Sequence, residues 1–126
     1  MADKEIVDCT DYSEQLQYVL RVADTDVKKL HHAEQSYGDS WKKRGGTGAM
    51  MMLARKWDRL ENQVTKHNWD IFAAAQQDTR PEGIIDDIRD LRRYLLLVES
   101  ELLIQGARHD DEPDLFIEDR CEWKTG

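Results

Sequence analysis

Carboxylates recur at helical spacing in two stretches of this 126-residue chain. Asp87 and Asp90 lie three positions apart and Asp86 and Asp90 four, so either pair projects from neighbouring turns onto one side of a helix. Asp58 and Glu61, also three apart, do the same in an earlier stretch. Like charges at this spacing repel, and a cation relieves the repulsion. If the two stretches fold as antiparallel neighbours, the carboxylates converge. A hard divalent cation such as Mg²⁺ takes such oxygen ligands and fills its remaining positions with water and phosphate oxygens. A metal held this way activates water and neutralises a phosphate being cleaved. The bland use of the same residues is equally open: Asp86 and Asp87 near a helix N-terminus complement the macrodipole, and acidic pairs are common on solvated faces.

A second group surrounds a glycine-rich stretch. Tyr37 and Trp41 have the flat faces on which a base stacks, worth roughly 1–3 kcal/mol per base. Lys42, Lys43 and Arg44, then Arg55, Lys56 and Arg59, have the charge to meet phosphates. Alternatively, the aromatics cover one end of a helical bundle and the basic residues are solvated. Gly45-Gly46-Thr47-Gly48 lacks the spacing and the terminal Lys-Ser/Thr of a phosphate-binding P-loop. His31 and His32 are adjacent and point to different faces, while His67 and His109 have no partner at ligand spacing. No Ser-His-Asp or Cys-His grouping is present at sequence level.

Three helices have to position these groups. The first is expected from Asp11, with Glu14 three residues on as a capping box, and an apolar stripe of Leu16, Leu20, Ala23, Val27 and Leu30. It should stop at Tyr37-Gly38, because glycine accepts the left-handed conformation of a helix end. A loop over 38–48 follows, with Thr47 as the cap of the next helix. The second helix is expected over 49–77 on Leu53, Trp57, Leu60, Val64, Ile71 and Ala75, with a weaker turn around His67; Met50, Met51 and Met52 are assigned to packing. Pro81 suits the first position of a third helix, whose stripe of Ile84, Ile88, Leu91, Leu95, Val98 and Leu102 is unbroken. The reading is all-α: an antiparallel bundle of three long helices. It comprises an N-terminal arm over 1–10, a helical domain over 11–106, and an acidic C-terminal tail over 107–126. Three helices make a thin core, so self-association into a homo-oligomer is expected.

Composition narrows the class. Hydrophobic residues make up 40% and charged residues 35%. No apolar run approaches the roughly 20 residues that span a bilayer, and the first residues lack a signal-peptide pattern, so a cytoplasmic protein without membrane contact is expected. A net charge of −8 disfavours duplex nucleic acid as a partner of the whole surface. The charge is uneven, however, with the basic residues crowded in the middle. Cys9 and Cys121 have no C-x-x-C partner and are expected to be free thiols.

The blocks Tyr37-Gly38-Asp39-Ser40-Trp41, Arg55-Lys56-Trp57-Asp58-Arg59-Leu60 and Asp86-Asp87-Ile88-Arg89-Asp90-Leu91-Arg92-Arg93-Tyr94 resemble the nucleotide modification associated domain family. These are small helical proteins of phages and bacteria, related in fold to MazG-like nucleotide pyrophosphohydrolases. The resemblance covers roughly residues 25–103 and implies an all-α nucleotide-handling fold. MazG-like enzymes hold Mg²⁺ with Glu-x-x-Glu and Glu-x-x-Asp; the matching positions are Asp58 and Glu61, then Asp87 (or Asp86) and Asp90, three of the four differing in residue type. The basic residue and Asp that the family tends to carry before Tyr-Gly are replaced by Ala33-Glu34-Gln35-Ser36. The expectation is a phage or bacterial nucleotide-binding protein, with a Mg²⁺-dependent nucleoside triphosphate pyrophosphohydrolase as its catalytic form. In it Tyr37 and Trp41 meet the base, Lys42, Arg44, Arg55, Lys56 and Arg59 meet phosphate, and Tyr94 belongs to the same nucleotide-binding set. Two alternatives stand beside it: a non-catalytic protein that sequesters a nucleotide, and a helical protein-interaction module. The departures weigh against turnover more than against binding.

Overall fold

The computed structural model describes residues 11–106. The N-terminal arm, the acidic tail and both cysteines lie outside the described residues. Among the described residues the chain is all-helical, with α1 over Glu14–Tyr37, α2 over Gly45–Thr65, α3 over Ile71–Gln77 and α4 over Ile84–Ile104. A single 3₁₀ turn, Ser40–Lys42, links α1 to α2. No helix is long and apolar enough to cross a membrane.

The expected three helices are therefore four. Beyond Thr65 the backbone passes through positive φ at Asn68 (57°) and Trp69 (63°), which an α-helix cannot contain. Asp70 then restarts the helix, its Oδ1 accepting from the N–H groups of Phe72 and Ala73 at 3.0 and 3.1 Å. Apolar phase carried the sequence reading across this break because both pieces face one core. Leu60 and Val64 of α2 meet Ala74 of α3 and Ile84 of α4, with Ile71, Ile88 and Leu91 packed around them.

Helix ends also move. Ser13, not Asp11, caps α1 by accepting from the Leu16 N–H at 3.2 Å. The C-terminal end is where glycine placed it: Gly38 has φ 60° and its N–H donates to the Glu34 carbonyl at 2.7 Å. α2 starts at Gly45, before Thr47, and no side chain caps it. Much of the expected loop is thus its first turn. Gly48 is needed there, since a Cβ would lie 2.7 Å from Arg44 Cβ. Pro81 precedes α4 rather than starting it, and Gly83 is the N-cap.

Ion pairs give the order of the helices. Lys42 meets Glu101, Lys56 meets Asp90 and Arg59 meets Asp87, so α2 and α4 run antiparallel. α1 joins α4 through Asp26, which bonds to Arg92 and Arg93. The expected stripe of α1 does not form a core: Leu16 and Val27 are exposed and the buried residue of the helix is Asp26. On α4 Ile84 is buried and Ile88 and Leu91 partly so, whereas Leu95 and Leu102 are about half exposed. The core therefore occupies one end of α2, α3 and α4. The other end is open.

Candidate functional site: a cationic cleft between three helices

The open end forms a cleft of about 970 Å³. Each wall is one helical stripe at three- and four-residue steps. α1 supplies Val27, Leu30, Glu34 and Tyr37; α2 supplies Gly48, Met51, Met52 and Arg55; α4 supplies Asp90, Arg93, Tyr94 and Leu97. The 3₁₀ turn closes one end with Trp41, and Arg44 follows it. Among the lining side chains are four cations, Lys29, Arg44, Arg55 and Arg93, against the two carboxylates of Glu34 and Asp90. The cleft is thus aromatic, thioether-lined and net positive in a chain of net charge −8.

Five of the eight residues expected to bind nucleotide lie here: Tyr37, Trp41, Arg44, Arg55 and Tyr94. The other three are engaged beside it. Lys42 donates to Glu101 at 2.8 Å in a neighbouring recess, and this bond raises the lysine pKa and lowers that of the carboxylate. Lys56 Nζ sits 5.7 Å from the centre of the Tyr94 ring and 3.3 Å from Asp90. It holds the tyrosine from behind by a cation–π contact. Arg59 lies on the far side, 3.3 Å from Glu82 and 3.4 Å from Asp87. The methionines assigned to packing correct the sequence reading: Met50 and Met51 are largely exposed, and Met51 and Met52 line the cleft.

The five residues proposed for metal do not gather. Among the described residues no group of three or more acidic, histidine or cysteine side chains could hold a metal ion. Asp87, 2% exposed, points its Oδ2 at Arg80 (2.9 Å) and has Arg59 3.4 Å from Oδ1. Asp78 completes this cluster, its carboxyl lowered to about 2 chiefly by the side-chain bond from Arg80. Asp90 faces Lys56 and Asp86 faces Arg89. Asp58 is exposed and Glu61 half-buried. Cations of the chain itself neutralise the α4 carboxylates, so these residues do not fit a divalent ion in this arrangement. Among the described residues Asp87 Oδ1 is the one buried side-chain acceptor without a hydrogen bond.

No protein-family model, no curated protein and no solved structure matches this chain.

Two linked residues were missed in the sequence: Arg93, which lines the cleft, and Asp26 of α1, which accepts a hydrogen bond from it. Asp26 is completely buried, and the side-chain bond from Arg92, then that from Arg93, lowers its carboxyl pKa against the opposing effect of burial. Arg92 bonds Asp26 through two nitrogens, Nε and a terminal one, whereas Arg93 uses Nε alone, at 2.8 Å. The signal was present: Asp26 interrupts an apolar stripe just before Val27, and Arg93 falls three residues after Asp90 on the face that carries Tyr94.

Proposed function

We propose that this chain binds a small phosphorylated ligand bearing a flat aromatic group, a nucleotide, in the cleft between α1, α2 and α4. The observation carrying this reading is the meeting, in one cavity, of aromatic faces with several guanidinium groups. Aromatic side chains and Met51 offer sequence-tolerant stacking surface, and guanidinium groups match phosphate oxygens. The reading is of a MazG-like type in which the nucleotide is held and not hydrolysed. The metal-independent form is favoured because Arg59, Arg80 and Lys56 already face the carboxylates that would hold Mg²⁺. A phage or bacterial origin and a cytoplasmic location belong to the same proposal.

The test is a panel of nucleotides offered with and without Mg²⁺, following both product and recovered ligand. Intact ligand, retained by the native protein and released on denaturation, with retention lost in Tyr37→Ala or Trp41→Ala, supports sequestration. Turnover that requires Mg²⁺ and disappears in Asp90→Asn replaces it with the hydrolase. Neither retention nor turnover with any nucleotide leaves the interaction module.

A second reading, self-association, has its own observation. Leu16, Val19, Val22, Leu95 and Leu96 are all at least 39% exposed, while only five apolar residues are buried among those described. Apolar surface on this scale around so small a core favours a homo-oligomer. Sedimentation velocity over a range of concentrations tests it: a single monomeric species throughout excludes it.

A further inference from the structure

The most deeply buried side chain of the described residues is a carboxylate on α1, and it is held by two consecutive arginines of α4. Neighbouring residues of a helix point about 100° apart, so both reach one carboxylate only when it lies over the boundary between their two faces. The two arginines are used differently. Arg92 is docked on Asp26 as a two-point fork and does not line the cleft. Arg93 lines it and gives Asp26 only its Nε; among the described residues its terminal nitrogens have no hydrogen-bond partner. Two guanidinium groups on one carboxylate leave a net positive charge. The nearby Asp90 does not cancel it, being paired with Lys56.

A buried ion pair is a poor stabilising device, since well-packed apolar side chains of similar volume commonly do as well or better. What it supplies is a fixed geometry. An arginine anchored at Nε has lost the freedom of its long side chain and presents its remaining N–H donors as a rigid fork.

We propose that Asp26 is the positioning residue of an anion hook: it anchors Arg93 so that the terminal guanidinium nitrogens face the cleft and take the phosphate end of the ligand. This deepens the nucleotide reading and rests on it for the presence of phosphate. Tyr37 and Trp41, at the other end of the α1 stripe and in the 3₁₀ turn, are left for the base. The ligand lies along α1, with phosphate toward Asp26 and base toward Gly38.

The probe is inorganic tripolyphosphate, which has no base, titrated into the full chain by calorimetry. Asp26→Asn makes the protein one unit more positive, so charge alone tightens tripolyphosphate binding. A positioning role predicts the opposite sign, about tenfold weaker binding, the loss of a charge-assisted hydrogen bond. Arg93→Lys keeps the charge but not the fork, and is expected to weaken binding by about the same factor. Far-UV circular dichroism checks that each variant is folded, and Arg93→Lys decides if Asp26→Asn is not. Binding unchanged or tighter in the folded variants overturns the hook. So does a wild type that takes no tripolyphosphate, even if a nucleotide is retained in the panel above, in which case the nucleotide reading survives on its base. Tripolyphosphate bound with the expected loss in the variants, but no nucleotide retained, leaves the hook standing and removes the nucleotide.

Discussion

Replacing Arg80 by methionine tests the claim that cations of the chain, not a metal, neutralise the carboxylates before and within α4. Arg80 Nε donates to Asp78 Oδ1 at 2.9 Å, and one terminal nitrogen reaches Asp78 Oδ2 at 2.7 Å and Asp87 Oδ2 at 2.9 Å. The side chains of Asp78 and Asp87 are 4% and 1% exposed. Methionine retains an apolar stem and removes every side-chain donor, leaving the backbone N–H of residue 80 on Asp78 Oδ1 at 3.0 Å. Orphaning a buried charge costs about 3–5 kcal/mol. Two features reduce this: Arg80 is about a third exposed, so water reaches the gap, and Arg59 stays 3.4 Å from the other oxygen of Asp87. The expected loss is about 2–3 kcal/mol, a large part of the stability of a small domain. At about 4–8 °C per kcal/mol, the thermal midpoint falls by about 10–20 °C. Urea unfolding at pH 7, followed by far-UV circular dichroism, measures it. Adding Asp87→Asn to Arg80→Met removes one of the two buried charges left behind and should restore part of the loss, a coupling that a double-mutant cycle reads directly. Arg80→Met within about 0.5 kcal/mol of wild type, the range of an ordinary surface substitution, would refute the reasoning.

The same cluster predicts two further behaviours. Mg²⁺ at millimolar concentration should leave the thermal midpoint of the wild-type protein unchanged and raise that of Arg80→Met, where Asp78 has lost its cation and Asp87 one of two; a rise in the wild type instead shows that the ion competes successfully with Arg80. Acid should also destabilise the fold in a defined window. The folded pKa of Asp78, about 2, lies below its ordinary value of 3.8, so its contribution is complete above that value and is lost as pH falls toward 2. Asp26 is shifted in the same direction. Thermal midpoints should therefore drop between about pH 4 and 2, and Asp78→Asn should flatten part of that drop.

Helical class was readable because apolar residues recur at three and four positions throughout, and periodicity reports which face of a segment is buried. It does not report whether the chain turns between two segments that bury the same face. Val64, Ile71 and Ala75 stay in phase, yet Asn68 and Trp69 break the helix between them. Nor does it say how much of a stripe finds a partner: Ile84 is buried while Leu102 on the same stripe is half exposed. The aromatic and basic residues of the cleft were legible by type. Tyr37, Trp41, Arg44 and Arg55 flank glycines or follow them by a helical turn or two, and α1 and α2 then bring both groups to one end. Lys42, Lys56 and Arg59 were equally eligible by type and went elsewhere, because ion-pair partners on α4 and in the turn before it lay closer. The carboxylates failed for a related reason. Spacing places Asp87 and Asp90 on one side of a helix, but it cannot reveal that Arg80, from the turn before it, reaches back to Asp87.

The charge distribution bears on the kind of anion that suits this cleft. At physiological ionic strength an exposed charge is screened beyond about 8 Å. A ligand contained in the cavity therefore responds to Arg44, Arg55 and Arg93 at close range, and only weakly to the acidic remainder of the chain. A polymer does not have that protection. A duplex entering with one phosphate carries further charges every few ångströms across the surface, and its binding depends on neutralising several of them at once. On this chain acidic residues outnumber basic ones, 26 to 18 over the whole sequence, so the net charge opposes those further phosphates. A basic cavity in a chain of net charge −8 thus suits a small anion better than a polymer: on the proposed reading a mononucleotide would gain the contact to Arg93 with little of the repulsion that a longer strand would meet.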